Sequence, residues 1–229
     1  MAISFLNQTQ TANNYILFTG VSQIYSQAAG FSFWFYPTVV NGSNAILSLY
    51  ATANGWTLKC SLDSSTGKFV ISTYSGYGLT SMSSLSNYNL NAWNHVFFIH
   101  TGGSTIQLFL NDDAGAIDTN MAGPYDFDRI LLGAAYDYNN TSIVPEFEGR
   151  IAEIHTFAGR ASSPTFFTPL RKTLYKGIHH PLVKSYGSNS FAYVYIPCLR
   201  EAKNLRDTTS TVVSTGTNIS AAPHVRRYG

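Results

Sequence analysis

The sequence predicts an all-β fold, an antiparallel β-sandwich with one short helix near 169–176 and an extended C-terminal arm. Three observations carry this. Gly, Pro and Asn-Gly turn signals recur about every 8–12 residues through most of the 229-residue chain, a spacing that suits short strands in a sandwich. Several stretches alternate apolar and polar with period two. Aromatic residues make up 14% of the chain, enough to fill a large core between two sheets.

Taken in order, residues 3–6 and 15–18 read as short opening strands. Gly30 to Pro37 (GFSFWFYP) packs five aromatics into six positions, which predicts a strand buried on both faces. Residues 45–51 (AILSLYA) form the next strand after the Asn41-Gly42 turn. Residues 56–62 alternate most cleanly. Trp56, Leu58, Cys60 and Leu62 share one face, and Thr57, Lys59 and Ser61 the other. Phe69 to Tyr74 returns after a Gly-containing loop, and a polar loop is expected from there to Tyr88. Trp93 then anchors a hairpin, with strands around Val96–Ile99 and Ile106–Leu110. Gly102-Gly103 stands where a two-residue turn needs positive φ.

Beyond Asp112, residues 129–134 and 147–157 read as strands, with 136–143 an exposed loop. Thr168 suits a helix cap, Pro169 a first helical position and Gly177 a stop. Residues 190–197 read as a strand, and 207–220 as a thin strand pair or an arm. The domain division is therefore a sandwich over 1–177 and a basic C-terminal extension over 178–229.

Only 11% of the residues are charged, against roughly 25% in an average soluble protein. Such a surface suits packing against partners or sugars better than a free metabolic enzyme. The charge is also uneven. Residues 1–170 hold five basic and ten acidic side chains, and residues 171–229 hold nine and two. The basic residues are dispersed, without the Lys/Arg runs of a nucleic-acid surface, so no nucleic-acid partner is expected. Cys60 lies in phase with core residues and Cys198 is remote, so neither a disulfide framework nor a zinc site is expected. The segment MAISFLNQTQ has no signal-peptide character, and no apolar run reaches membrane-spanning length.

The strand series FSFWFYP, WTLKCSLD, NAWNHVFFIHTGGSTIQLFLND, ILLGA and FEGRIAEIHTF resembles the laminin-G-like branch of the concanavalin A-like lectin/glucanase fold, a jelly roll. Trp93, His95 and Val96 match one family strand. Asn111-Asp112 matches the turn that follows, although Asp113 and Ala114 stand where Gly is usual. Phe147, Gly149, Ile151 and Ile154 match the closing strand. The likeness spans about residues 15–175.

A string resembling the first strand of bacteriophage laminin-G-like domains stands last here: Tyr195 to Glu201, then Asp207 to Ser210, then Gly216-Thr217. This looks like a permuted order, with the tail completing its own sheet or a neighbour's. The resemblance implies a non-enzymatic virion structural protein, a capsid decoration or a tail or fibre component. It would be made in the host cytoplasm, homo-oligomeric, and held by other virion proteins such as a capsid or tail protein. Arg200, Arg206, Arg226 and Arg227 would serve the partner-binding arm. The alternative is a lectin-like module for host glycan attachment. Its contact residues would be the loop aromatics and amides Tyr74, Tyr77, Tyr136, Tyr138, Asn139 and Asn140, since aromatic planes beside amides suit sugars and protein interfaces alike.

Catalytic and metal chemistry are weaker expectations. Glu146 and Glu148, two apart on a strand, would put both carboxylates on one face at glycosidase spacing. Arg150 replaces the third acid of the glucanase pattern and would hold the pair ionised, so no catalytic residue is assigned. Asp112-Asp113 and Asp126-x-Asp128 could serve calcium at a sandwich rim, as in some laminin-G modules. Neither pair alone supplies six oxygens, so no cofactor or metal site is assigned. His179-His180 has no spaced partner, and His95 reads as a hydrogen-bonded structural residue.

Overall fold

The computed structural model describes residues 2–5, 15–24, 29–41, 43–75, 78–100, 105–119, 127–136, 142–158, 171–172, 174–175, 193–196, 211–215 and 219–222. They form an all-β antiparallel sandwich of two sheets. The first half supplies β1 (Ala2–Phe5), β2 (Tyr15–Ile24), β3 (Ala29–Val39), β4 (Ser43–Ala51), β5 (Trp56–Asp63), β6 (Lys68–Ser75), β7 (Gly78–Asn87) and β8 (Asn94–His100). The second supplies β9 (Ile106–Leu110), β10 (Ala116–Asp118), β11 (Phe127–Leu132), β12 (Ala134–Tyr136), β13 (Ile143–Pro145), β14 (Glu148–Ala158), β15 (Tyr193–Ile196), β16 (Thr211–Thr215) and β17 (Ile219–Ala222). The first sheet runs β10-β9-β8-β3-β14-β1-β17, with β15 also on β14. The second runs β16-β2-β11-β4-β5-β6-β7, and β12-β13 form a separate hairpin.

Period-two alternation sends one face of the central strands into the core. From the first sheet come Phe31, Phe33, Phe35, Val96, Phe98, Ile106, Leu108, Leu110 and Ile151. From the second come Leu47, Leu49, Leu58, Cys60, Leu62, Phe69, Ile71 and Ile130. Phe33, Phe35 and Phe69 meet across the gap with centroids 5.6–6.1 Å apart. β3 is buried on both faces, as its aromatic run predicts. On its outer side Trp34 stacks on Tyr175 at 5.7 Å. Arg171, Lys172, Leu174 and Tyr175 are helical, within the predicted 169–176. Leu174 is buried, and the Arg171 guanidinium sits 4.4 Å from the Phe109 centroid.

The C-terminal residues join both sheets. β17 pairs with β1 (Ile3↔Ala221), β16 with β2 (Val213↔Leu17), and β15 with β14 (His155↔Tyr195). β1 and β15 share one side of β14, end to end. Between them lies a β-bulge at which Glu153 takes φ 50°.

Several expectations need correction. The polar stretch before Tyr88 is not a loop: residues 78–87 are the ten-residue edge strand β7, whose inward positions carry only Thr80, Met82 and Ser84. Their polarity hides the alternation. Residues 136–143 are not wholly loop either, because Tyr136 closes the β12–β13 hairpin opposite Ile143. In the hairpin that Trp93 anchors, β8–β9, His100 pairs with Ile106. That leaves five residues between the strands, not two, and Gly102-Gly103 lies outside the described residues.

Candidate functional site

Glu146, first of the two candidate acids, is not on a strand. It precedes β14, where its N–H and that of Phe147 both donate to the Gly133 carbonyl, at 3.1 and 3.2 Å. This turns the carboxylate toward the second sheet. There Oε2 accepts from Ala45 N–H at 2.7 Å and from Lys59 Nζ at 2.9 Å, and Oε1 accepts from Lys59 Nζ at 3.2 Å. Glu146 and Glu148 therefore do not share a strand face, and Glu146 is a structural acceptor joining β14 to β4 and β5. Arg150, next in the same pattern, lies 5.1 Å from the Tyr36 ring centroid.

In each acidic rim pair one acid accepts from backbone, and Asp112 Oδ1 lies 3.7 Å from Arg171 Nη1. Asp113 Oδ1 accepts from the N–H groups of Leu110 and Gly115, both at 3.1 Å, and Oδ2 from Ser86 N–H at 3.3 Å. Asp128 Oδ1 accepts from Thr52 N–H at 2.8 Å and its hydroxyl at 3.0 Å. Asp126 lies outside the described residues. Among the described residues no three His, Cys, Asp or Glu side chains converge. Asp113 and Asp128 thus spend their carboxylates on neighbouring N–H groups and Asp112 faces a guanidinium, which does not fit a calcium cage of six or more oxygens.

His95 is structural in the way its strand position predicts. It is buried beneath the helical residues, 2.8 Å from Ser32 Oγ through Nε2 and 4.9 Å from the Trp34 ring. Burial, and then the Arg171 charge, lower its pKa to about 3.

The concentration of contact chemistry lies on the outer face of the second sheet. Register fixes it as a row running Arg129↔Tyr50↔Thr57↔Tyr74 across β11, β4, β5 and β6. The next row along holds Ser48, Lys59 and Ser72. Tyr50 and Tyr74 stand two strand spacings apart, about 10 Å, with Thr57 as the floor between them. Tyr136 comes over from β12 and packs its ring on Tyr50 at 4.2 Å. Its hydroxyl accepts from Arg129 Nη1 at 3.1 Å, and the guanidinium carbon lies 5.8 Å from the Tyr50 centroid. That hydrogen bond is the main reason the Arg129 pKa is raised. The hairpin is itself tied down, since Ser48 Oγ donates to the Ala134 carbonyl at 3.2 Å.

Of the loop residues expected from sequence, Tyr74 and Tyr136 thus lie on this face. Tyr77, Tyr138, Asn139 and Asn140 lie outside the described residues, as do Arg200, Arg206, Arg226 and Arg227. Sequence reasoning missed Tyr50, Thr57, Lys59 and Arg129 as site residues. Tyr50 and Thr57 sit at outward positions of legible strands, but only the register shows that they share a row with Tyr74.

The family model described as the concanavalin A-like lectin/glucanases superfamily, of laminin G type, matches residues 10–165. No curated protein matches the chain in sequence. Among solved structures, a heptameric SAP-like pentraxin from Limulus polyphemus is 12% identical with TM-score 0.59, over 93% of this chain and 94% of that one. Domains LG4-5 of the mouse laminin α1 chain are 14% identical with TM-score 0.54, over 68% of this chain and 41% of that one. Domain 4 of an extracellular arabinanase from Geobacillus stearothermophilus, solved with arabinotriose, is 16% identical with TM-score 0.51, over 65% and 68%. Because the family model covers well over half of the residues and the two-sheet topology agrees, the chain belongs to the laminin-G-like group of the concanavalin A-like lectin/glucanase superfamily.

Proposed function

We propose that this chain is a non-enzymatic recognition module that holds a polyhydroxylated ligand, a glycan, on the outer face of its second sheet. The observation that carries this reading is the row Arg129, Tyr50, Thr57, Tyr74 with Tyr136 stacked on it. Tyr50, Tyr74 and Tyr136, each half-buried, offer aromatic surface to sugar C–H groups. Ser72, half-buried in the next row, adds a hydroxyl beside them. Lys59 is neutralised by Glu146, which favours a neutral ligand over a strongly acidic one. Glu146 is occupied as an acceptor between Lys59 and the Ala45 N–H, and this supports binding over hydrolysis. The arabinanase domain shows that a sandwich of this kind can carry an oligosaccharide.

The test is a glycan array followed by calorimetry on the hits. Tyr50→Ala with Tyr74→Ala should weaken binding at least tenfold while leaving the far-UV spectrum unchanged. Hits that survive the double substitution, or an array without saturable hits, would refute the proposal.

A second reading, a structural component of a virion held by other virion proteins, draws on the charge-poor composition and on the phage-like string at Tyr195 to Glu201. Its test is co-purification of the chain with assembled particles; free chain alone would count against it.

A further inference from the structure

We infer that β7 is a self-association edge, through which a second copy of this chain adds its own β7 antiparallel and joins two second sheets into one. This inference is independent of the glycan reading. Folded proteins guard sheet edges with charges, prolines, bulges or very short strands, because an open edge is a template for another strand. Edge strand β10 is three residues long and ends in Asp118. β7 differs, with ten residues, GLTSMSSLSN, that contain neither a charge nor a proline.

Only one end of β7 is protected. Between Ser83 and Asn87 the strand bulges away from β6. There Lys68 Nζ donates to the Leu85 carbonyl, and Ser86 N–H donates to Asp113 Oδ2. Residues 78–83 keep a regular ladder to β6 on one side. Among the described residues nothing caps their other side. The solvent face of β7 is also apolar where it need not be: Leu79 is 51% exposed and Leu85 54%. With Ile117 at 66% on β10, this flank of the sandwich carries three of the five exposed large apolar side chains of the described residues.

A second copy fits this edge better than a charged peptide, because residues 78–87 offer no charge to select one. They are, however, self-complementary. With a two-fold axis at Ser81, Ser81 faces its own equivalent, Leu79 faces Ser83, and Thr80 faces Met82. Leu79 then reaches diagonally toward the partner copy's exposed leucine at position 85. Small serines at the centre let the strands close to ladder distance, and no like charges oppose. The bulge at residues 84–86 stops the ladder on both sides, so the contact is closed and isologous and does not propagate.

The experiment is sedimentation velocity on the full chain, with circular dichroism and thermal melts to confirm folding. The wild type should sediment as a dimer. Ser81→Lys and Ser81→Glu, each on the exposed face, should sediment as monomers with unchanged melts, because like charges meet at the axis. Mixing the two variants should restore the dimer. A monomeric wild type would overturn the proposal. So would a dimer indifferent to both substitutions, or a mixture that stays monomeric.

Discussion

At the scale of single residues, buried polar groups decide how this protein responds to acid. His95 is buried against Trp34 and Tyr175, with Arg171 nearby, and stays neutral in the folded chain. Its pKa is about 3 there, against an ordinary histidine value of about 6.5. The unfolded chain therefore binds the additional proton between these values. Stability contributed by His95 is complete above about pH 6.5 and is lost as pH falls, with a slope of up to about 1.4 kcal/mol per pH unit. Urea titrations between pH 6.5 and 5, where most carboxylates stay ionised, should show a shallower slope for His95→Asn than for the wild type. Equal slopes would mean that His95 protonates in the folded state. Gly149 acts through space rather than charge. It takes φ 154°, and a Cβ there would meet the Tyr36 carbonyl oxygen at 2.2 Å and the Phe147 ring at 2.6 Å. Gly149→Ala should cost about 2–4 kcal/mol, read as a lowered urea midpoint.

At the scale of elements, the β12–β13 hairpin sets the candidate site, because it delivers Tyr136 onto Tyr50. Gly133 launches it with φ +78°, giving its N–H to the Ile46 carbonyl at 2.7 Å and accepting from Glu146 and Phe147. A side chain at 133 would strike the Phe5 ring at 2.7 Å. Gly133→Ala should therefore weaken both the fold, by about 1–3 kcal/mol, and ligand binding, measured by chemical unfolding and calorimetry on one preparation. Intact binding in a destabilised Gly133→Ala would separate the hairpin from the site. The strands themselves were legible because large apolar residues alternate: β3, β5, β8 and β9 follow directly from Phe, Trp, Leu and Ile spacing. β7 was not, because serines and threonines sit at both inward and outward positions. The candidate site was half legible. Tyr74 and Tyr136 stand out as aromatics among polar neighbours, whereas Tyr50 and Arg129 join them only through strand pairing between residues about 80 apart. Glu146 misled because local spacing says nothing of Lys59, which reaches it from β5.

At the scale of the whole molecule, the C-terminal strands close both sheets of the sandwich. β17 covers the edge of β1 in the first sheet and β16 that of β2 in the second. A chain truncated before Thr211 should expose both edges together. We expect it to lose its cooperative thermal transition and to aggregate, followed by differential scanning calorimetry and light scattering. A truncated chain that melts as the wild type does would show that the closing strands are dispensable. The assembly face proposed at β7 lies at the opposite end of the second sheet from β16, so truncation and Ser81 substitution probe separate edges.

The pairing of Ala2 with Ala222 also has a kinetic meaning. β1 is made before its neighbour β17, whose residues follow about 200 positions later. Contacts of such high sequence separation slow folding, since loop closure must precede any gain from pairing. The N-terminal strand is thus left without that partner until synthesis of β17 is finished. Closure of the first sheet waits for β17, and a nascent chain stalled before β17 should remain protease-sensitive at β1 while the β4–β6 meander is already protected.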